Sequence, residues 1–353
     1  KPQVTFIPGY RDGNGKPKPV LMFGAGYDVA LDDTSGAYIP ANPGNYEACN
    51  PVCGRGMYVV DATTGALLWS VTPGATSATN LQAAGLEFPV AAEVTPIDSN
   101  GDGLTDRVYF ADVGGHIWRV DIAGDNLPSD MTSSERNCPV GVSRCLAHVN
   151  MVADLNGAVA GGAEIDASAD RRFFNAVDVV RSRLDGVAVD VLLIASGDRT
   201  NPNGRDVRNR FYAIRDRQTA VFTTRRPSSA ECMAGAFDFR CQLPISEASD
   251  AMGGSGLLNV TVNPFTDDDI TDAEIIATLK TSNGWYIDLL KDANLGEGKF
   301  GEKGLAKSLT IDGTIFLTTF VPRPEEGAVE LTDEDVCTPE RSEERRVGKE
   351  CAT

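Results

Sequence analysis

Residues 96–122 read PIDSNGDGLTDRVYFADVGGHIWRVDI. The first half sets oxygen donors at fixed steps. Asp98, Asn100 and Asp102 alternate, the Leu104 carbonyl follows, and Asp106 closes the run. Gly101 and Gly103 permit the sharp backbone turns between them. These are the first, third, fifth, seventh and ninth positions of a calcium loop, because a hard cation needs several oxygens converging from one short segment. The twelfth position, a bidentate Glu in an EF-hand, is Tyr109, and no helical pattern follows. Instead Ile117, Arg119 and Asp121 alternate with Trp118, Val120 and Ile122, the period of a strand. The loop is therefore an insert in a hairpin that turns at Asp112-Val113-Gly114-Gly115. A metal-free turn is the competing reading of Asp, Asn and Gly; the complete DxNxDGxxD spacing favours the cation.

Working outward, the same plan recurs. An apolar strand, a glycine turn, and then aromatic and apolar residues alternating towards an Asp describe GMYVVD, GHIWRVD, RFYAIRD and GWYIDL. Residues 20–28 read as a buried strand. Residues 56–71 read as a hairpin turning at Ala62-Thr63-Thr64-Gly65, with Leu67, Trp69 and Val71 on the return face. Strands are also expected over 88–96, 146–154, 187–196, 209–214, 257–262 and 284–289. A further hairpin over 308–321 turns at Asp312-Gly313. Residues 172–181 fit a strand or a short helix. Residues 266–279 are the best helix, with Asp267, Asp268 and Asp269 favouring its N-terminus. Repetition of a strand-turn-strand unit points to an all-β fold, a modified β-propeller with long loop insertions. A β-sandwich is the rival.

At 353 residues the chain can bury a large core, and 42% hydrophobic content is ordinary. Gly 36 and Pro 19 suit a turn-rich fold. A net charge of -18 argues against nucleic acid or an anionic membrane surface as partner. No run is long and apolar enough to span a membrane, and no signal peptide is visible. The chain reads as a piece of a longer exported protein. Its close cysteine pairs, Cys49 with Cys53, Cys138 with Cys145 and Cys232 with Cys241, read as loop staples of an oxidising compartment. A zinc site would want closer pairs or more than the two histidines present. Cys337 and Cys351 are left over. Residues 1–322 form the expected propeller domain, with strands that can be missing at either end. Residues 323–353 read as a charged tail, disordered or non-native.

No HExxH, GxSxG or GxxxxGK[ST] motif occurs, and nothing assembles a catalytic constellation. His116 is expected to be a satisfied sheet residue. No enzyme activity is expected.

Several segments, in order, resemble the C-terminal domain of the PilY1 family of type IV pilus proteins: VLMFGAGYD, GMYVVDATTGALLWSV, the 96–122 stretch, RFFNAVDVVR, IASGDRTNPNG with NRFYAIRD, GWYIDL, and GEKGLAKSLTIDGTIFLTTFVP. The resemblance implies a modified β-propeller related to quinone-dehydrogenase propellers. It also implies Ca2+ held by Asp98, Asn100, Asp102, the Leu104 carbonyl and Asp106. It implies a role in pilus biogenesis, twitching motility through extension and retraction, and cell adhesion. Implied partners are pilus components such as minor pilins, and host or abiotic surfaces. The implied location is the periplasm, outer-membrane surface or pilus tip of a Gram-negative bacterium. Two rivals remain. A quinone-dependent dehydrogenase-like propeller shares the DATTG hairpin with Trp, but no two cysteines are adjacent here. An integrin-like adhesion propeller would carry several calcium loops, and one convincing loop is present.

Overall fold

The computed structural model describes residues 1–28, 53–122, 147–155, 167–184, 186–219, 244–247, 256–261, 271–289 and 301–322, and the backbone of 344–347. Its strands fall into four successive sheets. The first runs β1 (Gln3–Arg11), β2 (Pro17–Gly24), β3 (Met57–Asp61), β4 (Leu67–Thr72) and β5 (Asn80–Gln82). The second runs β6 (Thr95–Ile97), β7 (Arg107–Ala111), β8 (His116–Ile122) and β9 (Ala147–Asp154). The third contains β10 (Asp178–Leu184), β11 (Val187–Ala195), β12 (Arg210–Asp216), β13 (Leu258–Asn259) and β14 (Gly284–Asp288), with β14 between β12 and β13. The fourth is built on β17 (Thr314–Phe320), flanked by β15 (Lys303–Gly304), β16 (Leu309–Ile311) and β18 (Glu344–Val347). Pairing is antiparallel except for β4 with β5 and β13 with β14.

Alternation along each strand divides its side chains between two neighbours. From the second sheet, Val108, Phe110, Trp118, Val120 and Ile122 pack on Met22, Met57, Val59, Trp69 and Val71 of the first. The intervening Tyr109, Ala111 and Ile117 pack on Leu192, Ile194, Tyr212 and Ile214 of the third. The other face of the third sheet, with Leu193, Phe211, Ala213 and Trp285, packs on Ile315 and Leu317 of the fourth. Small meander sheets stacked face to face in chain order are the blades of a β-propeller. Each fully buried large apolar side chain contributes about 1.5–3 kcal/mol, so these seams hold the sheets together.

The turns follow their chemistry. Asp312 and Gly313 adopt φ of 48° and 72°, as a two-residue hairpin turn requires. The carboxylate of Asp61 accepts the backbone N–H groups of Thr63 (2.7 Å) and Thr64 (2.9 Å), folding the DATTG turn locally.

Several expectations need correction. Only Thr95 and Pro96 of the 88–96 run are strand, the start of β6; Phe88, Val90 and Val94 are buried in irregular chain whose Val90 N–H donates to the Gly54 carbonyl. A register shift between β3 and β4 turns Leu67 out to solvent, while Trp69 and Val71 stay inside. RFYAIRD and GWYIDL are not separate blades, because β12 and β14 pair with each other. GMYVVD, GHIWRVD and RFYAIRD do occupy equivalent places, each the third strand of its sheet. The 172–181 run becomes strand only from Asp178, and of the described part of the 257–262 run only Leu258–Asn259 is strand. The helix α1 is Asp272–Thr281. Thr271 and Glu274 form its capping box, so an exchange of side-chain and backbone bonds sets its start. Asp267, Asp268 and Asp269 lie outside the described residues. Within the charged tail, Glu344–Val347 pairs with β17.

Cys53 is disulfide-bonded. Cys49, Cys138, Cys145, Cys232, Cys241, Cys337 and Cys351 lie outside the described residues.

Candidate functional site

The oxygen-rich loop connects β6 to β7 at the edge of the second sheet. Its tip is wound around Asp98. One oxygen of that carboxylate accepts the N–H groups of Gly101 (2.6 Å) and Asp102 (3.2 Å); the other accepts that of Gly103 (2.7 Å). Asn100 Oδ1 accepts the Asp102 N–H at 2.9 Å, and Asp102 Oδ1 accepts the Leu104 N–H at 2.8 Å. Gly101 and Gly103 take φ of 82° and 85°, the left-handed region that side chains disfavour. Partial desolvation raises the Asp98 carboxyl. The N–H bonds from Gly103, Gly101 and Asp102 together outweigh it and hold Asp98 below the usual carboxylate range.

Asp98, Asn100 and Asp102 are thus brought together at the exposed tip, with Asn100 Nδ2 donating to Asp102 Oδ2 at 3.2 Å. Leu104 is half-buried. Asp106 is buried and engaged elsewhere: its two oxygens accept the Ser99 N–H (3.0 Å) and Oγ–H (2.7 Å). Burial raises its carboxyl pKa, against the Ser99 bonds that lower it. Among the described residues, no three or more His, Cys, Asp or Glu side chains are gathered in a metal-holding group. The donor set itself fits a hard cation, being all oxygen and drawn from one glycine-hinged segment.

The loop is fixed on both sides. The Thr105 N–H donates to the Phe6 carbonyl at 2.7 Å, and the hydroxyls of Thr105 and Thr5 lie 2.6 Å apart, tying it to the first sheet. Arg181 Nη1, from β10 of the third sheet, donates to the Ser99 carbonyl at 3.2 Å.

Beneath the loop runs an ionic seam between the second and third sheets. Arg181 grips Asp190 with two bonds, 2.8 and 3.1 Å. Asp190 also accepts from Arg107 Nη1 at 2.8 Å, and Arg107 Nε donates to Asp121 at 3.0 Å. Asp121 accepts two bonds from Arg119, at 2.5 and 2.8 Å. Arg119 Nη1 and the Tyr109 hydroxyl both donate to Asp216, at 2.7 and 2.8 Å. Side chains of Arg107, Arg119, Asp121, Asp190 and Asp216 are at most 1% exposed. Burial alone would lower Arg119, but the facing Asp121 and Asp216 outweigh it and raise its pKa. Burial pushes the Tyr109 hydroxyl well above its usual range.

The sequence reading marked the Asp that ends each repeated strand, but not its work. Asp61, Asp121, Asp216 and Asp288 are all buried, and each takes a cation: Lys18, Arg107 with Arg119, Arg119, and Arg210 respectively. His116 is the expected satisfied sheet residue. Its Nδ1 meets Asp112 at 3.0 Å, and Asp112 also accepts the Trp118 indole N–H at 2.8 Å.

No family model matches the chain. Among curated proteins, a type IV pilus biogenesis factor PilY1 homolog of Xylella fastidiosa (strain Temecula1) is 23% identical over 319 residues, which is 85% of this chain. The chain is similar to PilY1. It spans 17% of the length of that PilY1 relative. Among solved structures, the crystal structure of the Pseudomonas aeruginosa PilY1 C-terminal domain matches 91% of this chain and 55% of its own, with a TM-score of 0.49 and 16% identity. No helix among the described residues is long and apolar enough to cross a membrane.

Proposed function

We propose that this PilY1-like chain is a calcium-binding propeller domain of a type IV pilus biogenesis factor and tip adhesin. It acts as a non-catalytic, exported scaffold in pilus assembly, in the balance of extension and retraction, and in surface attachment. Its partners are pilus components, minor pilins among them. The observation that carries the cation reading is the tip of the 98–106 loop. There Asp98, Asn100 and Asp102 are held by the loop's own backbone N–H groups, leaving further oxygen lone pairs for a hard ion. Asp98, Asn100, Asp102, the Leu104 carbonyl and Asp106 would hold the ion. Ca2+ would supply positive charge to carboxylates that otherwise repel one another, and so favour the ordered loop.

Extracellular calcium sites run from roughly micromolar to millimolar affinity, and this loop belongs in that range. Isothermal titration with Ca2+ is expected to give one ion per chain for the wild type and none for Asp102→Ala up to millimolar concentration. Equal binding by both proteins, or none by either, removes the assignment. Several ions per chain would favour the integrin-like alternative.

A further inference from the structure

Arg181 belongs to a different sheet from the 98–106 loop, 82 residues away in sequence from the Ser99 it touches. Its guanidinium spans two partners. One edge is locked on Asp190 by two bonds, and the remaining amino group reaches the Ser99 carbonyl at 3.2 Å. The planar guanidinium suits this use, because a two-point grip on a carboxylate fixes where its third nitrogen points. Ser99 in turn holds both oxygens of Asp106. Asp106 directly precedes Arg107, whose guanidinium closes back onto Asp190 at 2.8 Å. The contacts form a ring: Arg181, Ser99, Asp106, the Arg107 side chain, Asp190 and Arg181 again.

We infer that Arg181 is a positioning residue for the cation loop, and that through it occupancy of the loop is tied to the seam between the second and third sheets. This rests on the reading of 98–106 as a calcium loop. Arg181 fixes the Ser99 backbone, and Ser99 fixes the oxygen donor that the ion must recruit from inside the sheet. By linkage, an ion that orders Ser99 and Asp106 also strengthens the Arg181 bridge, and the bridge strengthens ion binding by the same factor.

The sign of the effect separates positioning from simple charge. Deleting a positive charge beside a cation site should tighten binding, because repulsion is relieved. Deleting a positioning group should weaken it. Arg181→Met keeps much of the stem's packing and removes the fork; at 44% side-chain exposure the site tolerates the change. Arg183→Met, on the same strand, removes an equal charge whose hydrogen bond goes to the Gly186 carbonyl.

The test is Ca2+ titration of the three proteins, with hydrogen exchange of the β10 and β11 amides measured with and without the ion. Arg181→Met should bind Ca2+ about 3- to 10-fold more weakly than wild type, the order expected from losing one partly exposed charge-assisted bond. Arg183→Met should bind as tightly or more tightly. Ca2+ should slow exchange in β10 and β11 of the wild type and of Arg183→Met, but not of Arg181→Met. If the wild type binds and Arg181→Met binds equally or more tightly, the inference fails and the calcium reading stands. If the wild type does not bind Ca2+, both fall.

Discussion

Asp121→Asn tests the ionic seam most directly. The carboxylate is 1% exposed and accepts three bonds, one from Arg107 and two from Arg119. With Arg181, the seam sets three guanidinium groups against the carboxylates of Asp121, Asp190 and Asp216. The amide keeps the shape and one acceptor oxygen but removes the charge, leaving three cations against two anions. Breaking one partner of a buried ion pair costs about 3–5 kcal/mol. With a denaturant slope of about 3 kcal/mol/M, the urea midpoint should fall by about 1–1.7 M. Fluorescence of the buried Trp69, Trp118 and Trp285 reports the transition. Arg107→Met combined with Asp121→Asn restores equal numbers of opposite charges. The double variant should therefore be more stable than the sum of the singles predicts, by about 0.5–3 kcal/mol. A midpoint shift in Asp121→Asn below about 0.3 M, about 1 kcal/mol by the same slope, would refute the view that these charges depend on one another.

Two other predictions concern the turn between β7 and β8. Burial lowers the His116 pKa, but Asp112, by charge and by hydrogen bond, outweighs burial and raises it above the usual value. The protonated ring therefore contributes stability that is fully present below about pH 6.5, the unfolded value, and is lost as pH rises through the folded value. Melting temperatures from pH 5.5 to 9 should fall more steeply for wild type than for His116→Gln across that window; parallel profiles would contradict it. A Cβ on Gly114 would lie 2.2 Å from the Phe88 ring. Gly114→Ala should cost about 1–3 kcal/mol in a denaturant titration, and Phe88→Leu should lessen the penalty of the added methyl.

Much of the fold is legible because the relevant signal is local. The period of two over 116–122 places Trp118, Val120 and Ile122 on one face and Ile117, Arg119 and Asp121 on the other, as found. The loop spacing gathers Asp98, Asn100 and Asp102 at one exposed tip for the same reason. The run 88–94 misleads because burial does not require a ladder: Phe88, Val90 and Val94 are inside, yet Val90 bonds to Gly54 and to Gly26 instead of a strand. What local pattern does not hold is who meets whom. Arg107 finds Asp190 across 83 residues, and Tyr109 finds Asp216 across 107. The strand-ending Asp is visible as a motif; its cation comes from a neighbour that no spacing rule reaches.

The double burial of β8 has a consequence for how the chain tolerates change. Moved by a single residue, the strand would drive Arg119 and Asp121 among Trp69 and Met57 while Trp118 entered the guanidinium row. A deletion of one amino acid there exchanges oil for salt along the whole ribbon; a deletion of two restores the parity. Changes of length within this ribbon are confined to even steps.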